Sequence, residues 1–116
     1  MMRLATIAIG LVLLAGCSAK PMNDLSRTYY PETFSTSKQP QEFAACVHDA
    51  WDSRMSASTQ PLDSGYRILG GVFGDTLGQV DIKPLNGETA VWFYDGLFLL
   101  GNQAGEKQRE AVVNCL

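Results

Sequence analysis

The chain has 116 residues, with nine Lys and Arg against twelve Asp and Glu, a formal charge of −3, and 46% hydrophobic residues. A mildly acidic balance with no basic stripe excludes nucleic acid as a natural partner and gives no attraction to anionic lipid head groups. The length allows one small domain, whose modest core would gain from a covalent staple.

Arg3 supplies a positive start, Leu4 to Leu14 an apolar run, and Ala15 and Gly16 a small-residue exit. This pattern is that of a cleaved secretory signal, residues 1–16, because the apolar run falls well short of the roughly 20 residues that a spanning helix needs. Leu14, Ala15, Gly16 and Cys17 resemble the lipobox of bacterial lipoproteins. The resemblance implies cleavage before Cys17 and acylation of its thiol and new amine. A thiolate is the nucleophile such a transfer requires, and small residues before it let the chain enter a membrane protease. Two or three acyl chains hold durably where one holds reversibly, so the protein is expected to be anchored to a bilayer without spanning it. Ser18 stands where an aspartate would favour retention in the inner membrane, so the resemblance implies the outer membrane, periplasmic side. Without residues 1–16, eight Lys and Arg stand against twelve Asp and Glu, a formal charge of −4.

With Cys17 assigned to lipid, Cys46 and Cys115 remain, an even number in an oxidising compartment. A disulfide between them is the simplest reading; two free thiols or half a metal site are the alternatives. His48, the only histidine, lies two residues from Cys46 with no second ligand cluster, so no metal site is expected.

Residues 17–38 are polar, with prolines at 21 and 31 and a Ser/Thr cluster at Ser35 to Ser37, and read as a lipidated terminus and tether. Tyr29, Tyr30 and Phe34 are unusual in a spacer and suit either folding back onto the domain or sitting at the membrane interface. The domain is expected over 39–116. Its first helix is QPQEFAACVHDAWDSRM, where Pro40 suits the first turn and Phe43, Cys46, Val47, Ala50 and Trp51 form one apolar stripe. Residues Ser56 to Gly65 read as a loop.

The period then changes to two. Asn86-Gly87 between alternating runs is a strong hairpin signal. With these two as turn residues, Leu85 faces Glu88, Lys83 faces Ala90, Asp81 faces Trp92 and Val80 faces Phe93. Val80, Ile82, Val91 and Phe93 then share one face, while Asp81, Lys83, Trp92 and Tyr94 point the other way. A preceding strand from Tyr66 to Phe73 completes a meander, with Gly70, Gly71, Gly74 and Gly78 read as a bulged strand end and turn. NQAGEKQREAVVNCL returns to helical spacing, with Ala104, Ala111, Val112 and Cys115 on one side. The expected fold is α+β: a small three-stranded antiparallel sheet flanked by two helices in α-β-β-β-α order, stapled by one disulfide.

No paired carboxylates, nucleophile elbow or Cys/His dyad stands out, and no nucleotide fingerprint, so neither catalysis nor a cofactor beyond the lipid on Cys17 is expected. The expected role is a non-enzymatic binding or envelope-assembly module whose partner is an envelope protein. The alternative is an inhibitor or an exclusion or protective lipoprotein of prophage type, acting on an envelope protein or cell-wall enzyme. The candidate partner face is Trp92 and Tyr94 flanked by Asp81 and Lys83, open unless the tether covers it.

Overall fold

A computed structural model describes residues 24–26, 29–97, 100 and 105–116. The signal segment, the lipobox cysteine Cys17, Ser18 and the stripe residue Ala104 lie outside the described residues. The elements run β1 (Glu32–Thr36), α1 (Pro40–Asp52), β2 (Ser56–Pro61), β3 (Tyr66–Val72), β4 (Asp75–Leu85), β5 (Glu88–Asp95) and α2 (Glu106–Cys115).

The strands form one antiparallel sheet in the order β1-β5-β4-β3-β2. The chain lays β1 on one edge, crosses the sheet through α1, and returns by the meander β2 to β5 until β5 lies beside β1. Both helices pack on the same face. Phe43, Val47 and Trp51 of α1 and Val112 of α2 meet Ile68, Val80, Ile82, Val91 and Phe93 of the sheet in one core.

The class is α+β as expected, but the sheet has five strands and not three. The two additional strands are the edges. β1, ETFST, comes from the segment read as tether, and β2, SASTQP, from the segment read as loop. Edge strands pair on one side only and gain from polarity that discourages further pairing, so neither carries the apolar alternation of a central strand. Phe34 on β1 and Ala57 on β2 still turn inward against the core. The folded unit therefore begins by Glu32, not at residue 39.

The central hairpin has the expected register: Leu85 opposite Glu88, Lys83 opposite Ala90, Asp81 opposite Trp92 and Val80 opposite Phe93. Its turn residues have φ of +53° at Asn86 and +81° at Gly87, the mirror-image turn whose twist matches that of the strands.

The glycines of β3 and β4 have a use that their spacing does not announce. Gly70 and Gly78 pair across the two strands. A Cβ on Gly70 would lie 2.8 Å from Cε3 of Trp51, and one on Gly78 would lie 3.2 Å from Cη2 of the same ring. Together they form a flat seat for an indole that is 1% exposed. The ring is fixed there by Nε1 donating to the Gln108 carbonyl of α2 at 3.1 Å, and it meets Phe93 edge to face at 6.3 Å. Gly71 follows a bulge between Gly70 and Gly71.

Cys46 of α1 and Cys115 of α2 are joined by a disulfide, their Cα atoms 5.9 Å apart and 69 residues apart in sequence. The bond ties the two helices over the sheet. Among the described residues no helix is long and apolar enough to cross a membrane.

Candidate functional site

The outer face of the sheet, away from the helices, is built from alternate residues of its strands. The register aligns Arg67 with Asp81, Leu69 with Gln79, Gln79 with Tyr94, and Asp81 with Trp92, which in turn lies opposite Thr33 of β1. A sheet with helices on one side exposes such a face to water. Here the middle of it is dry: Leu69 is 2% exposed, Gln79 0%, Asp81 7% and Tyr94 9%.

The cover is the chain before β1. Residues Asp24 to Ser26 lie across the face as a strap, with Leu25 buried on it. Gln79 receives the strap: its Oε1 accepts from the Leu25 backbone N–H at 2.8 Å, while its Nε2 donates to Asp81 Oδ1 at 3.2 Å. A fully buried amide is thereby satisfied at both ends. Beside it Arg67 makes a two-pronged pair with Asp81, Nε to Oδ1 at 2.8 Å and Nη2 to Oδ2 at 3.0 Å, and extends Nη1 to Asp24 Oδ2 at 3.2 Å. The planar guanidinium suits this geometry, since its fork presents parallel donors to one carboxylate and leaves another donor for a second.

The electrostatics follow the contacts. The hydrogen bonds to Asp81, outweighing partial burial, hold the Arg67 guanidinium charged above its ordinary range. Burial pushes the Asp24 carboxyl up, but hydrogen bonds from Ser26 and Gln79 and the charge of Arg67 together outweigh it, and Asp24 ends below its ordinary value. Burial, helped by the negative Asp81, pushes the Tyr94 phenol up despite the nearby Arg67. This cluster has the character of a clamp, holding the strap through one buried amide and one shared cation.

Of the four residues expected to form a face open unless the tether covers it, Asp81 and Tyr94 are buried beneath the strap, which comes from that tether segment. Trp92 and Lys83 stay partly exposed. Trp92 borders a cleft of about 510 Å³ with Thr33, Ser35, Ala90, Leu85 and Glu88. Leu85 on its rim is 54% exposed, and Glu88 is held across the cleft by a hydrogen bond from the Ser35 hydroxyl. The unexpected participants are Asp24, Leu25, Arg67 and Gln79. The opposed charges of Arg67 and Asp81 were a usable signal, since extending the hairpin register to the preceding strand aligns them.

His48 is half-buried at the edge of α1, its Nδ1 2.8 Å from the Thr59 hydroxyl of β2. The contact joins the helix to the edge strand. Among the described residues no group of three or more His, Cys, Asp and Glu could hold a metal ion. Comparison of the chain with protein-family models, with curated proteins and with solved structures gives no match.

Proposed function

We propose that this chain is an outer-membrane lipoprotein of the periplasmic side that binds an envelope protein and carries out no chemistry, with its anchor on Cys17. The Leu-Ala-Gly-Cys run supports the anchor. The Cys46–Cys115 bond fits an oxidising compartment. The observation that carries the binding reading is the partly exposed Trp92 beside its cleft, on the part of the outer face that the strap leaves open. A large rigid ring next to a concave surface, with an exposed Leu85 on the rim, is the composition of an interface hot spot, because aromatic side chains bring area at little entropic loss.

The test is cross-linking in intact cells. The native chain should give a discrete cross-linked product that Trp92→Ala removes without lowering the melting temperature, while Val113→Ser, on the exposed side of α2, leaves it unchanged. A product that persists in Trp92→Ala refutes the site. For the anchor, Cys17→Ser should accumulate as uncleaved precursor, and a variant processed and membrane-bound as before refutes it.

A further inference from the structure

We infer that the place the strap occupies is a peptide-recognition site, which takes from the envelope partner an extended segment with an acidic residue followed by a large aliphatic one, and that the strap is its built-in competitor. The inference deepens the proposed binding reading and rests on it. The seat is organised from within. Asp81 holds Arg67 through two hydrogen bonds and Gln79 through a third, and none of the three involves the strap. They leave Arg67 Nη1 and Gln79 Oε1, one donor and one acceptor, to face whatever lies on the sheet. The strap meets both, with a carboxylate oxygen of Asp24 and the backbone N–H of Leu25. The other Asp24 oxygen accepts from the Ser26 N–H at 2.8 Å, so the acid is presented on a locally bonded turn.

Two rows of the register make up the seat. Leu69, Gln79 and Tyr94 lie side by side on β3, β4 and β5, and Arg67, Asp81 and Trp92 lie side by side on the same three strands. The cation reads a carboxylate, the buried amide reads the next backbone N–H, and the dry face takes an aliphatic side chain, as it takes Leu25, 7% exposed. A leader that served only to cover the sheet would be held as well by apolar side chains, because a buried ion pair gains little over apolar packing. A polar seat instead selects among segments, since the wrong one leaves a buried donor or acceptor unpaired.

The strap can leave without damage to what lies beneath it. Its grip on the face is one buried side chain, one backbone hydrogen bond and one ion pair whose carboxylate is 38% exposed. When it lifts, water reaches Arg67 Nη1 and Gln79 Oε1, while the bonds to Asp81 and the core on the other face stay in place. A competitor on the same chain reduces the apparent affinity for an incoming segment to the fraction of molecules whose seat is open. The second row ends at Trp92, so a segment that enters the seat lies in line with the cleft beside that ring. The charge complementarity with Arg67 and the continuity with the cleft together select a partner polypeptide as the occupant.

The experiment uses full-chain protein in detergent and a fluorescent peptide, Gly-Ser-Asp-Leu-Gly-Ser, that shares only the Asp-Leu pair with the strap. Asp24→Ser with Leu25→Ser opens the seat. By fluorescence anisotropy the opened chain should bind the peptide at least about tenfold more tightly than the native chain does, and a peptide with Asn in place of Asp about tenfold more weakly. Adding Arg67→Met with Asp81→Leu, which removes the cation without stranding its carboxylate, should make the two peptides bind alike. In the native chain, millimolar peptide should lift the strap, read as about tenfold faster amide exchange at Leu25 with exchange in the core strands unchanged. An opened chain that binds no more tightly than the native one overturns the inference, as does unchanged exchange at Leu25 or a preference for Asp that survives the loss of Arg67. An opened chain that no longer unfolds cooperatively overturns it too, because the strap would then be part of the core. These arms use no cross-link and no Trp92 variant, so failure of the seat and failure of the Trp92 site are read separately.

Discussion

Phe73→Asn should make the protein more stable. The ring at position 73 is 103% exposed with φ of +52°, so its removal forfeits no core contact and relieves a conformation that its β-carbon resists. Left-handed backbone costs an ordinary residue about 1–2 kcal/mol, and asparagine recovers most of that through local hydrogen bonding. The expected gain is about 1 kcal/mol. For a domain of this size it corresponds to a rise in melting temperature of roughly 4–8 °C. Thermal unfolding followed by circular dichroism measures the rise, and urea unfolding should show a higher midpoint at unchanged slope. Phe73→Ala supplies the control. It removes the ring but keeps a β-carbon at the same φ, and should move stability by less than about 0.5 kcal/mol. Asn86→Phe, which moves the ring to the other turn, should lose about what Phe73→Asn gains. If Phe73→Asn leaves the melting temperature unchanged or lowers it, the left-handed backbone at position 73 is not resisted by its β-carbon and the reasoning fails.

Replacing both Cys46 and Cys115 by Ala should cost up to about 4 kcal/mol in urea unfolding, from the entropy of closing a loop over a separation of 69 residues; a loss below about 1 kcal/mol would mean that the helices dock as well without it. Arg67→Ala leaves the Asp81 carboxylate, 11% exposed, without its cation, and should cost about 3 kcal/mol, whereas Arg67→Met combined with Asp81→Leu should cost less than the single change, as chemical unfolding will show. The strap should loosen in acid: Asp24 titrates below its ordinary value of 3.8 when folded, so its contribution is present above that pH and is lost as the pH falls through the lower folded value. Amide-exchange protection at Leu25 should therefore fall below about pH 4 while that of the core strands holds, and Asp24→Asn should remove the dependence.

The parts of the fold legible in the sequence are those whose signals are local. The stripe Phe43, Val47 and Trp51 marks α1, and Asn86-Gly87 between alternating runs specifies the turn, the register and the inward set Val80, Ile82, Val91 and Phe93. The Cys46–Cys115 pairing followed from arithmetic and helix placement. What escaped depends on partners far away in sequence. Five residues of β1 are held by β5, more than 50 residues later, and carry one inward aromatic, Phe34, too little for alternation to show. β2 is a polar edge strand, with only Ala57 packed against the core and Thr59 in hydrogen-bond contact with His48 of α1, too little for alternation to show. For the candidate site the facing of Trp92 and Asp81 was legible, but the strap was not. Asp24 and Leu25 owe their places to Arg67 and Gln79, side chains whose approach becomes visible only when the sheet is assembled.

The closed ring made by the Cys46–Cys115 bond also decides how the protein behaves under tension. A load applied from the N-terminal side first meets the clamp at Asp24, then the edge ladder of β1 on β5, and then the first turns of α1. At Cys46 the covalent path crosses to Cys115, so β2 to β5 and most of α2 fall outside the line of pull. Stretching can lengthen the chain only by the segment before that crossing. The strap and β1 thus serve as a short extensible leader that gives way in steps, and the meander with its indole seat stays folded behind a covalent stop. Under a load between the two ends of the chain, the domain can therefore lengthen only through this leader while the meander keeps its fold.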